Sequence, residues 1–390
     1  MNIRILEEAH VICSNRYGIH NYFAWPTVAR LPDGALAAVC SGFRIRHADP
    51  FGKATICYSF NEGKTWTPPA IALDTPLDDR DVGLLTFGDR VMLTTCNHSI
   101  DAQKGYLKVD QGRKTKNTPI PVYDTDREDD RVQYADSYLD YINREKAETE
   151  FLGSLYAVSC DGGFSFGPIR KIPISSPHGP ALAPDGRVVY VGHKYDPSDN
   201  SRSPDLVECF ITDESGKFQF TGSIPTISDR FDGMTPQSCE PHAIVLPDGD
   251  ILVHLRAQTG YSGNPPRRSC FTLYQSRSTD GGKTFSQPKM LLSDPLLGAP
   301  AHLLRLKNGL LVSTWGVRVT PYGIKVTVSR DNGTCWTEPV WLYQNSSVSA
   351  DLGYPSSVEL EDGSILTVFY GHPEPGASAE LMQIVWKVDE

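Results

Sequence analysis

The sequence predicts an all-β fold, a six-bladed β-propeller, and two series of recurrent turns carry that prediction. The first series reads Ser-x-Asp/Asn-x-Gly-x-Ser/Thr-aromatic and occurs four times, from Ser59 to Trp66, Ser159 to Phe166, Ser278 to Phe285 and Ser329 to Trp336, with Cys335 in the seventh place of the last. The Asp or Asn can bond its own backbone two residues on, and the Gly admits the positive φ of a tight reversal. One such segment means little, but four mark a repeated hairpin unit. The second series counts the units. Its glycines are Gly34, Gly88, Gly186, Gly249, Gly309 and Gly363, in segments such as Leu31-Pro32-Asp33-Gly34 and Leu246-Pro247-Asp248-Gly249.

Each turn of the second series has apolar residues before it and a β-rich run after it: Ala35 to Val39, Val91 to Thr95, Val188 to Val191, Ile251 to Leu255, Leu310 to Thr314 and Ile365 to Phe369. Apolar runs flanking a Gly turn read as a hairpin, so the chain carries six inner hairpins. Most steps between the glycines are about sixty residues, as expected of a supersecondary repeat. The step from Gly88 to Gly186 is longer and places an insertion in the second blade. Asp213 to Lys217 reads as a degenerate member of the first turn series, in the third blade. The last blade has none, and its outer strand is expected from the N-terminal segment Arg4 to Cys13, which would close the ring and remove free sheet edges.

Residues 1–390 therefore read as a single propeller, with residues 101–150 as an insertion within it. No Pro/Ser/Gly linker divides the chain, and all-β rings often run long as one domain. The insertion is charged and polar, with Tyr134, Tyr138, Leu139, Tyr141 and Ile142 in a short helix. Such charge runs are usually solvated faces, whereas a long excursion with this aromatic content suits a lid or a contact between copies in a homo-oligomer.

The net charge of −10 argues against a nucleic-acid partner. The segment Met1 to Glu8 lacks the apolar core of a signal peptide, and no segment is apolar enough to span a membrane. The nine cysteines show no CxxC spacing, which favours reduced thiols and a cytoplasmic location.

The first turn series resembles the Asp box of the sialidase-like β-propellers, a superfamily of glycoside hydrolases in which the box joins the third and fourth strands of a blade, away from the active site. The resemblance implies a carbohydrate substrate, no cofactor and no metal, and it carries over residue by residue. Tyr354, in Gly353-Tyr354-Pro355, lies where the family has its nucleophile; sialidases are the tyrosine exception among glycosidases. Glu240, in Cys239-Glu240-Pro241, lies where a Glu draws off the phenol proton. Arg256 and Arg318 end strands of neighbouring blades, where the family places carboxylate-binding arginines, and guanidinium forks suit that task. Asp49, in the loop Arg46 to Lys53, corresponds to the family's acid/base Asp, with His47 as the alternative proton donor.

The family pattern is broken at one subsite. Its first inner strand begins aromatic-Arg-Ile-Pro, but here the segment is Phe23-Ala24-Trp25-Pro26. The Glu that supports that Arg is also missing, since the last inner hairpin ends Phe369-Tyr370-Gly371. Arg44 or Arg46 could refill the space. These departures favour a relative acting on another sugar, acidic or neutral. His178, His193 and Tyr195 flank the inner hairpin of the third blade. They lack a third clear ligand for a metal, and suit hydrogen bonding to sugar hydroxyls or the base and acid of a uronate lyase. A retaining exo-glycosidase is thus the leading expectation, with a lyase and a non-catalytic carbohydrate-binding propeller as alternatives.

Overall fold

The structure, a computed structural model, describes residues 2–389 except 16, 114–127, 196–201, 263–266, 299 and 346–348. Six antiparallel sheets form the blades of a propeller. Their inner strands are Tyr22–Arg30, Arg80–Phe87, the broken pair Ile174–Ser175 and Ala181–Leu182, Gln237–Val245, Ala301–Arg305 and Gly353–Glu359. Each inner strand neighbours the next, and the sixth neighbours the first, so the ring is closed. The sixth blade takes its outer strand, Asn2–Cys13, from the start of the chain; it pairs antiparallel with Glu380–Asp389. All six glycines of the inner-hairpin series have positive φ, between 60° and 92°.

The core lies between blades rather than within them. Middle strands are buried on both faces and read as nearly continuous apolar runs, such as Leu36–Arg44 and Ile365–Gly371. Alternation then divides each strand between two interfaces. In the second blade, Val91 and Leu93 pack with Val39 and Ile56 of the first, while Met92 packs with Val188 and Tyr190 of the third.

The four Ser-x-Asp/Asn-x-Gly turns share one set of hydrogen bonds. The buried Ser59, Ser159, Ser278 and Ser329 hydroxyls donate to Asn61, Asp161, Asp280 and Asp331 at 2.7–3.1 Å. Each also accepts the amide of Gly63, Gly163, Gly282 or Gly333 at 2.8–2.9 Å. The terminal tryptophans dock on the neighbouring blade rather than on their own turn. Trp66 Nε1 donates to Gln383 and Trp336 Nε1 to Gln275, each at 2.8 Å, and those glutamines donate at 2.9 Å to Gly63 and Gly333 carbonyls. Asp213 keeps the same role in the third blade, accepting the amides of Ser215 and Lys217. Because these turns follow the third strand of a blade, they lie at the end opposite to the starts of the inner strands.

Three helices run between the strands Arg90–Cys96 and Ser154–Ser159 of the second blade: α1 (Ile100–Arg113), α2 (Glu128–Tyr141) and α3 (Arg144–Phe151). Residues 114–127 of this excursion lie outside the described residues. Ile100, Leu107, Val132, Ala135, Leu139 and Ala147 form a satellite core with Ile45 and Phe51 of the first blade. Phe51 stacks on Tyr134 at 4.7 Å and meets Tyr138 at 5.0 Å. The helices thereby brace the loop 45–51. No helix among the described residues is long and apolar enough to cross a membrane.

Candidate active site

Four inner strands begin with the same distortion. Trp25, Asp81, Glu240 and Tyr354 have φ of 57°, 50°, 49° and 48°, in the left-handed region that side chains rarely adopt. Each sits at a β-bulge, where the pairing register shifts between Ala24 and Thr27, Arg80 and Gly83, Cys239 and His242, and Gly353 and Ser356. A bulge re-aims a side chain, and all four of these side chains line one cavity of ≈ 480 Å³. Backbone strain of this kind costs about 1–3 kcal/mol per residue and concentrates at functional sites. The volume is that of a small-ligand pocket, which typically measures about 300–1,000 Å³.

Tyr354 and Glu240 meet in that cavity. The Tyr354 hydroxyl donates to Glu240 Oε1 at 2.6 Å. Arg256 Nη1 bonds Glu240 Oε2 and lies 3.4 Å from the Tyr354 oxygen, and Arg256 Nη2 donates to Gln258 at 2.5 Å. The Arg318 guanidinium lies 5.5 Å from the centre of the Tyr354 ring. Arg318 donates to the Leu352 carbonyl at 2.9 Å and to the Tyr370 hydroxyl at 2.8 Å. Burial, then the Glu240 charge, hold the Tyr354 phenol well above its ordinary value, against the pull of both arginines. The resting group is the protonated phenol.

Ala24 and Gly371 leave the first and sixth blades without an arginine at the cavity, and one reaches it from the second blade. Neither Arg44 nor Arg46 lines the cavity, whereas Arg80 does. The Arg80 and Arg44 guanidinium groups lie 4.2 and 4.9 Å from the Trp25 ring centre, a cation–π arrangement. The buried Asp78 carboxylate joins them, accepting from Arg44 Nη2 at 3.0 Å and Arg80 Nη1 at 3.1 Å. Burial works against the Arg80 charge, but Asp78 and Asp81 outweigh it and raise its pKa. Gly52 leaves room for this pair, because a Cβ there would overlap Arg44 Nη1 and Asp78 Oδ1.

A polar network meets the cavity at His47. Its hub is Asp351, which no local sequence pattern marks. Asp351 Oδ1 lies 2.9 Å from His47 Nδ1 and accepts from the Tyr370 hydroxyl at 2.9 Å; Oδ2 accepts from the Tyr22 hydroxyl at 2.8 Å. His372 Nε2 lies 3.6 Å from Oδ2. Burial pushes the Asp351 carboxyl up, but His47 and His372 outweigh it and hold it well below the ordinary range. His98 and Tyr106 complete the wall, so α1 reaches the cavity.

The structure does not bring every expected residue here. Asp49 is buried outside the cavity lining, and its carboxylate accepts the amides of Ile45, Arg46 and Phe51 at 2.9, 2.7 and 2.8 Å. It ties its own loop. Arg46 donates to the Ala48 carbonyl at 3.2 Å in that loop. His178 is buried beneath the cavity, its ring centre 6.5 Å from that of Tyr354 and edge-on to the stacked pair His242 and His302. His193 is buried, with Nε2 2.9 Å from the Ser238 carbonyl; the Tyr195 side chain lies outside the described residues. Among the described residues no cluster of His, Cys, Asp or Glu is arranged to hold a metal ion.

The fold and cavity define a propeller of the sialidase architecture. A BNR repeat-like domain is matched over residues 148–367, more than half of the chain, and the chain belongs to that family as a divergent member. No curated protein matches the sequence. A protein of unknown function from Dyadobacter fermentans shares the fold with a TM-score of 0.70 and 20% identity over 99% of both chains. The NanB sialidase of Streptococcus pneumoniae superposes with a TM-score of 0.64 at 13% identity, covering 97% of this chain and 70% of that one. The intramolecular trans-sialidase of Ruminococcus gnavus gives 0.58 at 15% identity, covering 97% and 98%.

Proposed function

We propose that the protein is a retaining exo-glycosidase that removes a terminal acidic sugar from glycans. The observation that carries this reading is the 2.6 Å hydrogen bond from Tyr354 to Glu240, with Arg256 and Arg318 beside it. The Tyr354 oxygen attacks the anomeric carbon and passes its proton to Glu240 during the attack, since the resting phenol is protonated. A neutral nucleophile avoids repulsion from an anionic substrate. Arg256 and Arg318 grip the acidic group, and Arg80 supplies a third guanidinium from an unexpected blade. Trp25, buried against the Arg80 and Arg44 guanidinium groups, holds Arg80 at the cavity. Because Arg80 stands on a different strand from the arginine it replaces, the acidic group is held from another direction, which favours a uronate or a related acid over sialic acid itself. Tyr106 brings α1 to the cavity wall, where the insertion can contact a bound glycan.

The test is turnover of a panel of aryl glycosides that includes sialosides and uronides, measured for wild type and Tyr354→Phe. At least one acidic glycoside is cleaved by wild type with retention of configuration. The variant folds and loses that turnover. Undiminished turnover by Tyr354→Phe overturns the reading.

A further inference from the structure

We propose that His47, oriented by Asp351, is the general acid/base of this site. The proposal rests on the glycosidase reading above and supplies the group which that reading lacks. Asp49 is excluded by its environment: three backbone amides occupy its carboxylate, and it does not line the cavity. Glu240 is already engaged by Tyr354 and Arg256. Asp81 lines the cavity and is the competing carboxylate, which the Asp81→Asn variant tests directly.

His47 has the features a proton shuttle needs. It lines the cavity, and its side chain is 47% exposed. Its ring stands edge-on to Trp25, 5.0 Å between centres. Nδ1 faces Asp351 Oδ1 at 2.9 Å and the Tyr22 hydroxyl at 3.0 Å. A carboxylate only accepts, so Nδ1 carries a proton and Nε2 is left to exchange one with the substrate. A base held by a third group is the general form of an activated catalytic pair. Asp351 is a positioning residue and is itself fixed by the Tyr22 and Tyr370 hydroxyls. Tyr370 also accepts from Arg318, so one chain of hydrogen bonds joins the anion-binding arginine to the imidazole. The charged groups around His47 are Asp351, His372 behind it, and Arg44 and Arg80, which donate to the His47 carbonyl at 3.1 and 3.3 Å.

The steps balance. As the Tyr354 oxygen bonds the anomeric carbon and loses its proton to Glu240, the glycosidic C–O bond breaks. Its electron pair goes to the leaving oxygen, which takes a proton from His47 Nε2. In the second step His47 Nε2 takes a proton from water, the water oxygen bonds the anomeric carbon, and the tyrosyl oxygen departs and recovers its proton from Glu240.

The test compares aryl glycosides of one sugar, with leaving phenols from strongly to weakly acidic, on wild type and on His47→Gln, Asp351→Asn, Asp81→Asn and Asp49→Asn. In His47→Gln, kcat/KM on the weakest-acid phenol falls about 10²–10³-fold, and on the dinitrophenyl glycoside by less than about tenfold. Azide, a nucleophile that needs no base, restores its turnover on the dinitrophenyl glycoside. Asp351→Asn shows the same leaving-group dependence with a smaller loss. His47→Phe, which keeps the ring against Trp25, behaves as His47→Gln does. A flat leaving-group dependence in both His47 variants overturns the proposal, as does its appearance in Asp81→Asn or Asp49→Asn instead. Wild-type turnover by Tyr354→Phe would sink the parent reading whatever His47 does. A wild type that cleaves none of the glycosides overturns both.

Discussion

Tyr354 and Glu240 are 114 positions apart in sequence, yet each occupies the same left-handed position at the start of its inner strand, and their side chains meet at 2.6 Å. Glu240→Gln keeps the shape and removes the acceptor charge. We expect kcat to fall about 10²–10⁴-fold on every substrate with little change in KM. Steady-state kinetics of the folded variant check this.

Arg256→Lys and Arg318→Lys each keep a positive charge and lose the planar fork. For an acidic substrate kcat/KM should fall about 10–100-fold, the equivalent of about 1.5–3 kcal/mol for a charged hydrogen bond. For a neutral analogue of the same sugar, Arg318→Lys should change far less. Parallel kinetics on the acid and its amide or alcohol analogue separate the two.

Asp49→Ala leaves three amides, two of them buried, without their acceptor. Each such loss costs about 1–3 kcal/mol, so the loop 45–51 should loosen and stability fall by about 3 kcal/mol. Urea denaturation measures the loss. Asp49→Asn retains one oxygen and should lose less.

Acid should destabilise the fold through its buried histidines. Burial pushes the His178 and His254 imidazoles down to about 4. It also lowers His242 and His302 well below their ordinary value, with help from neighbouring imidazoles. The unfolded chain binds these protons near pH 6.5 and the folded one does not. The stabilisation is therefore complete above about pH 6.5 and is lost as pH falls towards 4, at about 1.4 kcal/mol per pH unit for each histidine. Denaturation midpoints at pH 7 and pH 5 test the sign, and His254→Gln should flatten the slope.

Much of this was legible in the sequence, for local reasons. Asp-Gly turns fix their own geometry, so Gly34 to Gly363 counted the blades, and Glu240 and Tyr354, each before a proline at the start of an inner strand, stood out through the resemblance to the sialidase-like propellers. Trp25 precedes Pro26 in the same way. Its inward aim follows from the bulge, which turns Trp25 rather than Ala24 towards the axis. Asp81 shares the bulge, which no local sequence pattern marks. The Asp351–His47 pair spans 304 positions and joins two loops, a closure that no local pattern encodes. A loop carboxylate such as Asp49 looks alike in sequence whether it faces a substrate or, as here, its own backbone amides.

The central claim is that Tyr354 forms the covalent intermediate. Incubation with a fluorinated glycosyl fluoride of the preferred sugar, followed by intact-protein and peptide mass spectrometry, tests it most directly. One added glycosyl group is expected, on the peptide containing Tyr354, and none in Tyr354→Phe. An adduct on another residue, or an equal adduct in Tyr354→Phe, contradicts it.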